Sequence, residues 1–216
     1  MKALLQKEFS LCVHPTCYLF LILGAAMLLI PSYPLYVCFF YMTLAIYFVF
    51  LIGQEKRDVL FTSLLPVAKA DLVAARTLLV VFFEAAVVIL AIPFAVLRQT
   101  LHIPTNPVGM DPGVAFFGLV LIQFAIFNGV FFPCFYKTGD KAGKAFLFAV
   151  AAEFLYVCIV EAAVHIVPYC KTVWDTAEAS AQSPQIPVLL VGLVLYCLIT
   201  WLACRSAQKR FVKVDL

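Results

Sequence analysis

Residues Leu64 to Leu97 read LLPVAKADLVAARTLLVVFFEAAVVILAIPFAVL. The second half, from Val73 to Leu97, is apolar enough and long enough to cross about 30 Å of hydrocarbon, which takes roughly 20 residues in helix. The first half is too polar for lipid and too greasy for an ordinary loop. The stretch therefore marks a passage from water into a bilayer. Five further apolar runs occur along the chain, from about Cys12 to Ile30, Pro34 to Gly53, Val114 to Tyr136, Ala145 to Val167 and Pro187 to Cys204.

Of the 216 residues, 65% are hydrophobic and 12% are charged. Six buried core helices in a soluble protein would need far more polar sequence to cover them. The expected fold is all-α, a polytopic membrane protein with six transmembrane helices in a single membrane domain over residues 1–216. The first run is bounded by Pro15 and Pro31, short enough for a signal-peptide core or a re-entrant hairpin. A second run starts at Pro34, and no small-x-small cleavage site precedes a soluble region, so neither reading is adopted. The opening MKALLQKEFSLCVH sets Leu4, Leu5, Phe9 and Leu11 among Lys2, Lys7 and Glu8, a pattern suited to an amphipathic helix on the membrane surface.

Basic residues orient the spans, because Lys and Arg are retained on the cytoplasmic side during insertion. With both termini cytoplasmic, only Arg98 and Lys171 of the 15 Lys and Arg fall outside. The outer connections are then PSYP, RQTLHIPTNPVGMDPG and roughly Pro168 to Ile186, none able to hold a folded domain. The net charge of +3 comes from the inner basic collar, which suits anionic lipid and gives no reason to expect nucleic acid. The eight cysteines show no zinc spacing and read as small apolar packing groups, with Cys170 a lone thiol on the outer side.

The inner connection GQEKRDVLFTSLLPVAKADLVAAR holds the strongest functional signal. Glu55, Lys56, Arg57 and Asp58 precede an apolar set that a short interfacial helix can hide. Pro66 stops that helix, and a second begins near Lys69 or Asp71 with Asp71 at its positive end. The expected result is a bent elbow on the cytoplasmic leaflet. In this segment Leu65, Pro66, Val67, Lys69, Asp71 and Arg76 resemble, in order, the leucine-proline-valine-serine-arginine/lysine segment of type-2 ABC transporter permeases of the bacterial antibiotic and peptide exporter kind. EKRD resembles the charged stretch that precedes it there, and Ala68 stands where that family commonly has a serine cap.

The resemblance implies a coupling helix that docks on a separate ABC ATPase subunit, and a pore completed by a second permease copy or a homologue. The chain holds no GxxxxGK[ST], so ATP and magnesium would belong to the ATPase partner, with no cofactor in this chain. The implied cargo is an amphipathic peptide, antibiotic or lipid-like compound.

Polar residues inside spans are costly and commonly face a bundle interior. Glu84 in span three, Gln123 and Asn128 in span four, and Glu153, Glu161 and His165 in span five are the candidate substrate-path residues. Packing around a protonated carboxyl is the bland alternative for them. Glu161 and His165 are four apart on one helix face and could be half of a metal site. His14 and His102 are the only other histidines, and His14 is expected across the membrane, so no metal site is assigned. The competing function is an ATP-independent, proton-coupled secondary transporter using Glu84, Glu153 and Glu161; its mark, an inverted internal repeat, is not visible.

Overall fold

In the computed structural model, residues 2–63, 66–138, 141–176 and 182–214 are described. Helix α1 spans Lys2–Leu11 and α2 spans Pro15–Ala26, continued by a tight 3-10 turn over Met27–Leu29. Then follow α3 (Tyr36–Glu55), α4 (Asp58–Ser63), α5 (Lys69–Thr100), α6 (Val114–Thr138), α7 (Ala142–Ile166) and α8 (Ile186–Phe211). No strand occurs among the described residues. Five of these helices are long and apolar enough to cross a membrane, and the bent pair α1 and α2 makes a sixth if counted as one span.

The first span differs from the expected run over Cys12 to Ile30. The chain turns by 84° between α1 and α2. The His14 ring accepts a hydrogen bond from the Thr16 N–H, and Pro15 opens α2 at a position where a missing donor costs nothing. α2 itself has only 12 residues, so part of its crossing falls to the turn that follows. α1 lies against α5, with the Phe9 ring 5.2 Å from Phe82 and 6.2 Å from Phe83, while Leu11 stays exposed.

α5 has 32 residues, about 48 Å of helix at 1.5 Å per residue, so its ends project beyond a hydrocarbon slab of about 30 Å. It starts at Lys69, within the expected Lys69-to-Asp71 window, because Ala68 is extended and the helix runs unbroken from the elbow into the bundle. At its far end Arg98 is buried, its guanidinium donating to the carbonyls of Leu28, Ile30 and Pro104. The residue expected in an outer loop thus closes the ends of three segments.

α6 is the central helix, with aromatic rings packed on several sides. Phe50 of α3 meets Phe131 and Phe135 edge-on, each at 4.8 Å, and Phe127 stacks on Phe131 at 5.1 Å. α6 and α8 cross where Gly118 meets Gly192: a side chain at 118 would fall 2.7 Å from the Leu189 Cα, and one at 192 would collide with the Gly118 carbonyl. Only glycine allows two backbones this close. α7 and α8 turn apolar side chains outward, among them Leu147, Phe154, Ile159, Val194, Leu198 and Trp201. Such a surface suits acyl chains or another apolar bundle.

Candidate functional site

At the end of the bundle that carries α1, α3 stops at Glu55, and Lys56 and Arg57 form a turn with Arg57 at a positive φ of 49°. Glu55, Lys56 and Arg57 are exposed. Lys56 Nζ donates to the Leu11 carbonyl at 2.9 Å, covering the end of α1. Asp58, the fourth of the charged set, is instead buried. Its carboxylate receives Lys7 Nζ at 2.8 Å and Arg76 Nη2 at 2.5 Å.

Arg76 is the centre of this junction. It is 1% exposed, its Nε donates to Glu8, and its Nη2 also reaches Cys12 Sγ at 3.1 Å. The guanidinium lies 5.4 Å from the centre of the Phe50 ring. Gly53 makes room for it, since a Cβ there would sit 2.8 Å from Nη1. Lys7 Nζ is also 3.1 Å from Glu8 and donates to the Thr62 hydroxyl at 2.8 Å. Two cations and two carboxylates therefore join α1, α4 and α5.

Burial alone would raise the Asp58 carboxyl, but the Lys7 hydrogen bond and the charges of Arg76 and Lys7 outweigh it and hold it below its ordinary value. Glu8, Cys12 and Asp58 place donor atoms within 4.8 Å of one another, a grouping that could suit a cation. The Arg76 guanidinium is bonded to all three and already supplies the balancing charge.

The elbow continues through Pro66, which is exposed, and Val67, which is half-buried; Leu65 lies outside the described residues. Ala68 caps α5 without a side-chain bond, and Asp71 sits exposed in the first turn, where a negative charge favours the helix dipole. Lys69 Nζ donates to the Val214 carbonyl at 2.7 Å and lies 5.8 Å from the centre of the Phe211 ring, so the chain beyond α8 is fastened to the start of α5.

Within the bundle the polar residues form two groups. Glu84 Oε2 accepts from the Tyr196 hydroxyl at 2.7 Å and from Asn128 Nδ2 at 2.9 Å, and Asn128 also reaches Thr200 at 3.3 Å. Glu153 accepts from Gln123 Nε2 at 2.6 Å and from the Thr43 hydroxyl at 3.2 Å. Gln123 and Asn128 are five residues apart on α6, an offset of about 140° at 100° per residue, so the helix sends them to different neighbours. The first group is sealed among α5, α6 and α8. The second borders a cavity of about 580 Å³ between α3 and α7, also lined by Tyr36, Phe40, Leu147 and Phe154.

Glu153, Glu161 and His165 share one broad side of α7 yet meet different surroundings. Glu153 is buried, Glu161 half-buried and His165 exposed. Glu161 accepts from the Met110 N–H at 3.4 Å, with Gly109 allowing the approach. The His165 ring is 2.9 Å from the Glu161 backbone carbonyl, not paired with its carboxylate.

At the end of the bundle opposite the charged junction, Asn106 Nδ2 donates to the Tyr33 carbonyl at 2.7 Å, and Gln185 Nε2 donates to the carbonyls of Val173 and Thr176. Burial raises the Asp111 carboxyl above its ordinary value, against the Asn106 N–H bond; Asp175 adds to the rise and Arg98 opposes it.

Sequence reading did not single out Glu8 and Cys12 as partners of Arg76, nor Lys7 as a partner of Asp58, nor Thr43 and Tyr196 as partners of the buried acids. An acid beside Phe9 in an amphipathic helix looks like a solvated face. The one available signal was Arg76 itself, a cation with no nearby partner in sequence just inside a span. A model of the family described as ABC-2 family transporter protein matches residues 3–209 of the chain. No curated protein and no solved structure matches it.

Proposed function

The chain belongs to the ABC-2 family of transporter proteins, a multi-pass membrane transport component, and from that premise we propose that it is the permease subunit of an exporter driven by a separate ABC ATPase. The ATPase, with its ATP and magnesium, docks on the exposed elbow between α3 and α5. A second permease copy or a homologue completes the pore, and the end bearing the charged junction faces the cytoplasm. The cargo is an amphipathic peptide, antibiotic or lipid-like compound.

The observation that carries this reading is the Arg76 junction. A displacement of the elbow cannot leave α5 behind, because Asp58 of α4 and Glu8 of α1 are both bonded to a side chain of α5 itself. Closure of an ATPase beneath the elbow then moves α1, α4 and α5 together, and alternating access follows as a rigid-body change. The elbow keeps Glu55, Lys56, Arg57, Pro66 and Asp71 exposed for the partner. The apolar outer faces of α7 and α8 suit lipid and the second permease.

The test is affinity purification of the chain from its native membrane. An ATP-binding-cassette subunit should accompany it, and changing Leu65, Pro66 and Lys69 together should release that subunit. Substrate movement that needs a proton gradient but no ATP would instead establish the secondary-carrier alternative.

A further inference from the structure

The cavity between α3 and α7 has a chemical polarity that its apolar walls conceal. Its lining runs from closed residues, Gln123 at 0% and Glu153 at 1% exposure, to open ones, Leu147 at 67% and Phe154 at 68%. Its volume of about 580 Å³ lies in the range typical of small-molecule sites, about 300–1,000 Å³. At the closed end two needs are unmet. Among the described residues Glu153 has neutral partners, Gln123 and Thr43, and no Lys, Arg or His lines the cavity. Gln123 spends its amide N–H on Glu153 and the Tyr36 carbonyl, leaving Oε1 buried with no hydrogen-bond donor.

We propose that this cavity binds single-tailed primary amines, with the ammonium at Glu153 and Gln123 and the apolar body along α3 and α7 toward Leu147 and Phe154. A protonated primary amine offers one positive charge and three donors, which meets both the carboxylate and the orphaned amide oxygen. A trimethylammonium group has the charge but no N–H, and an alcohol has a donor but no charge. A zwitterionic phospholipid brings a phosphate that finds no cation in the lining. The assignment rests on reading the chain as an exporter's permease, and it names the head group its cargo carries.

The experiment uses the full chain in phosphatidylcholine nanodiscs with radiolabelled dodecylamine as probe, with binding to empty discs subtracted. Saturable binding is expected. Glu153→Gln, which keeps the side-chain shape, should weaken it about tenfold or more, as loss of a buried charged partner does. Ala151→Phe should abolish it by filling the cavity without touching the Thr43, Glu153 and Gln123 bonds. Dodecanol, dodecyltrimethylammonium and dodecylphosphocholine should displace the amine poorly.

The proposal is overturned if no saturable component exists, if dodecanol competes as well as unlabelled dodecylamine, or if Glu153→Gln binds like the parent. Should Glu153→Gln fail to fold, the competition series on the parent chain and the Ala151→Phe variant still decide. No ATPase enters this assay. Absent amine binding by a chain that retains its ATPase removes only the amine assignment, whereas saturable binding by a chain that never retains one removes only the exporter reading.

Discussion

Arg76 shows how one side chain can decide whether three helices behave as one. Removing one member of a buried ion pair leaves the other charge uncompensated, at a cost of about 3–5 kcal/mol. Arg76→Gln should therefore lower the thermal unfolding midpoint of the purified chain sharply, while Glu55→Gln, at an exposed position, should leave it unchanged. Asp58 gives the same junction a dependence on acid. Its folded value is depressed, so its stabilisation is complete above the ordinary carboxylate value of about 3.9 and is lost as pH falls through the lowered folded value. Thermal unfolding followed from about pH 7 to about pH 3 should show a falling midpoint in the parent and a lower, flatter line in Asp58→Asn. The polar residues of the spans could be picked out from sequence because hydrocarbon makes them conspicuous, as with Glu84 and Glu153. Their partners could not, since Tyr196 and Thr43 are ordinary in spans and lie 112 and 110 residues away from the acids they serve.

At the level of elements, runs of apolar sequence gave the long helices directly, and Pro66 and Asp71 marked the elbow. What they could not give was how far α5 outlasts the lipid at its outer end. α5 begins at Lys69, as the elbow led one to expect, and extends to Thr100 because hydrogen bonding within a helix does not depend on side-chain polarity, so Arg98 stays helical and turns inward to carbonyls instead of entering a loop. Pro15 and the amphipathic opening marked the break before α2, but not the His14 ring that caps Thr16 there. The crossing of α6 and α8 depends on two glycines whose contact is invisible in a linear pattern. Gly192→Ala should push the helices apart and cost about 1–3 kcal/mol, the usual result of overpacking. The midpoint of unfolding in detergent measures it; an unchanged value would show that the two backbones can separate freely.

For the whole molecule, the expected sidedness rests on where the basic residues gather. A membrane-impermeant maleimide applied to intact cells should add label to His102→Cys above the parent and none to Glu55→Cys; the reverse pattern would invert the topology. The junction of Lys7, Glu8, Asp58 and Arg76 bears on the electrical behaviour of the transporter as well. A single elementary charge carried across a membrane does work of about 2.3 kcal/mol for every 100 mV. Two positive and two negative side chains that travel together carry none. The junction therefore binds three helices together without itself adding to the charge that the membrane voltage could act on.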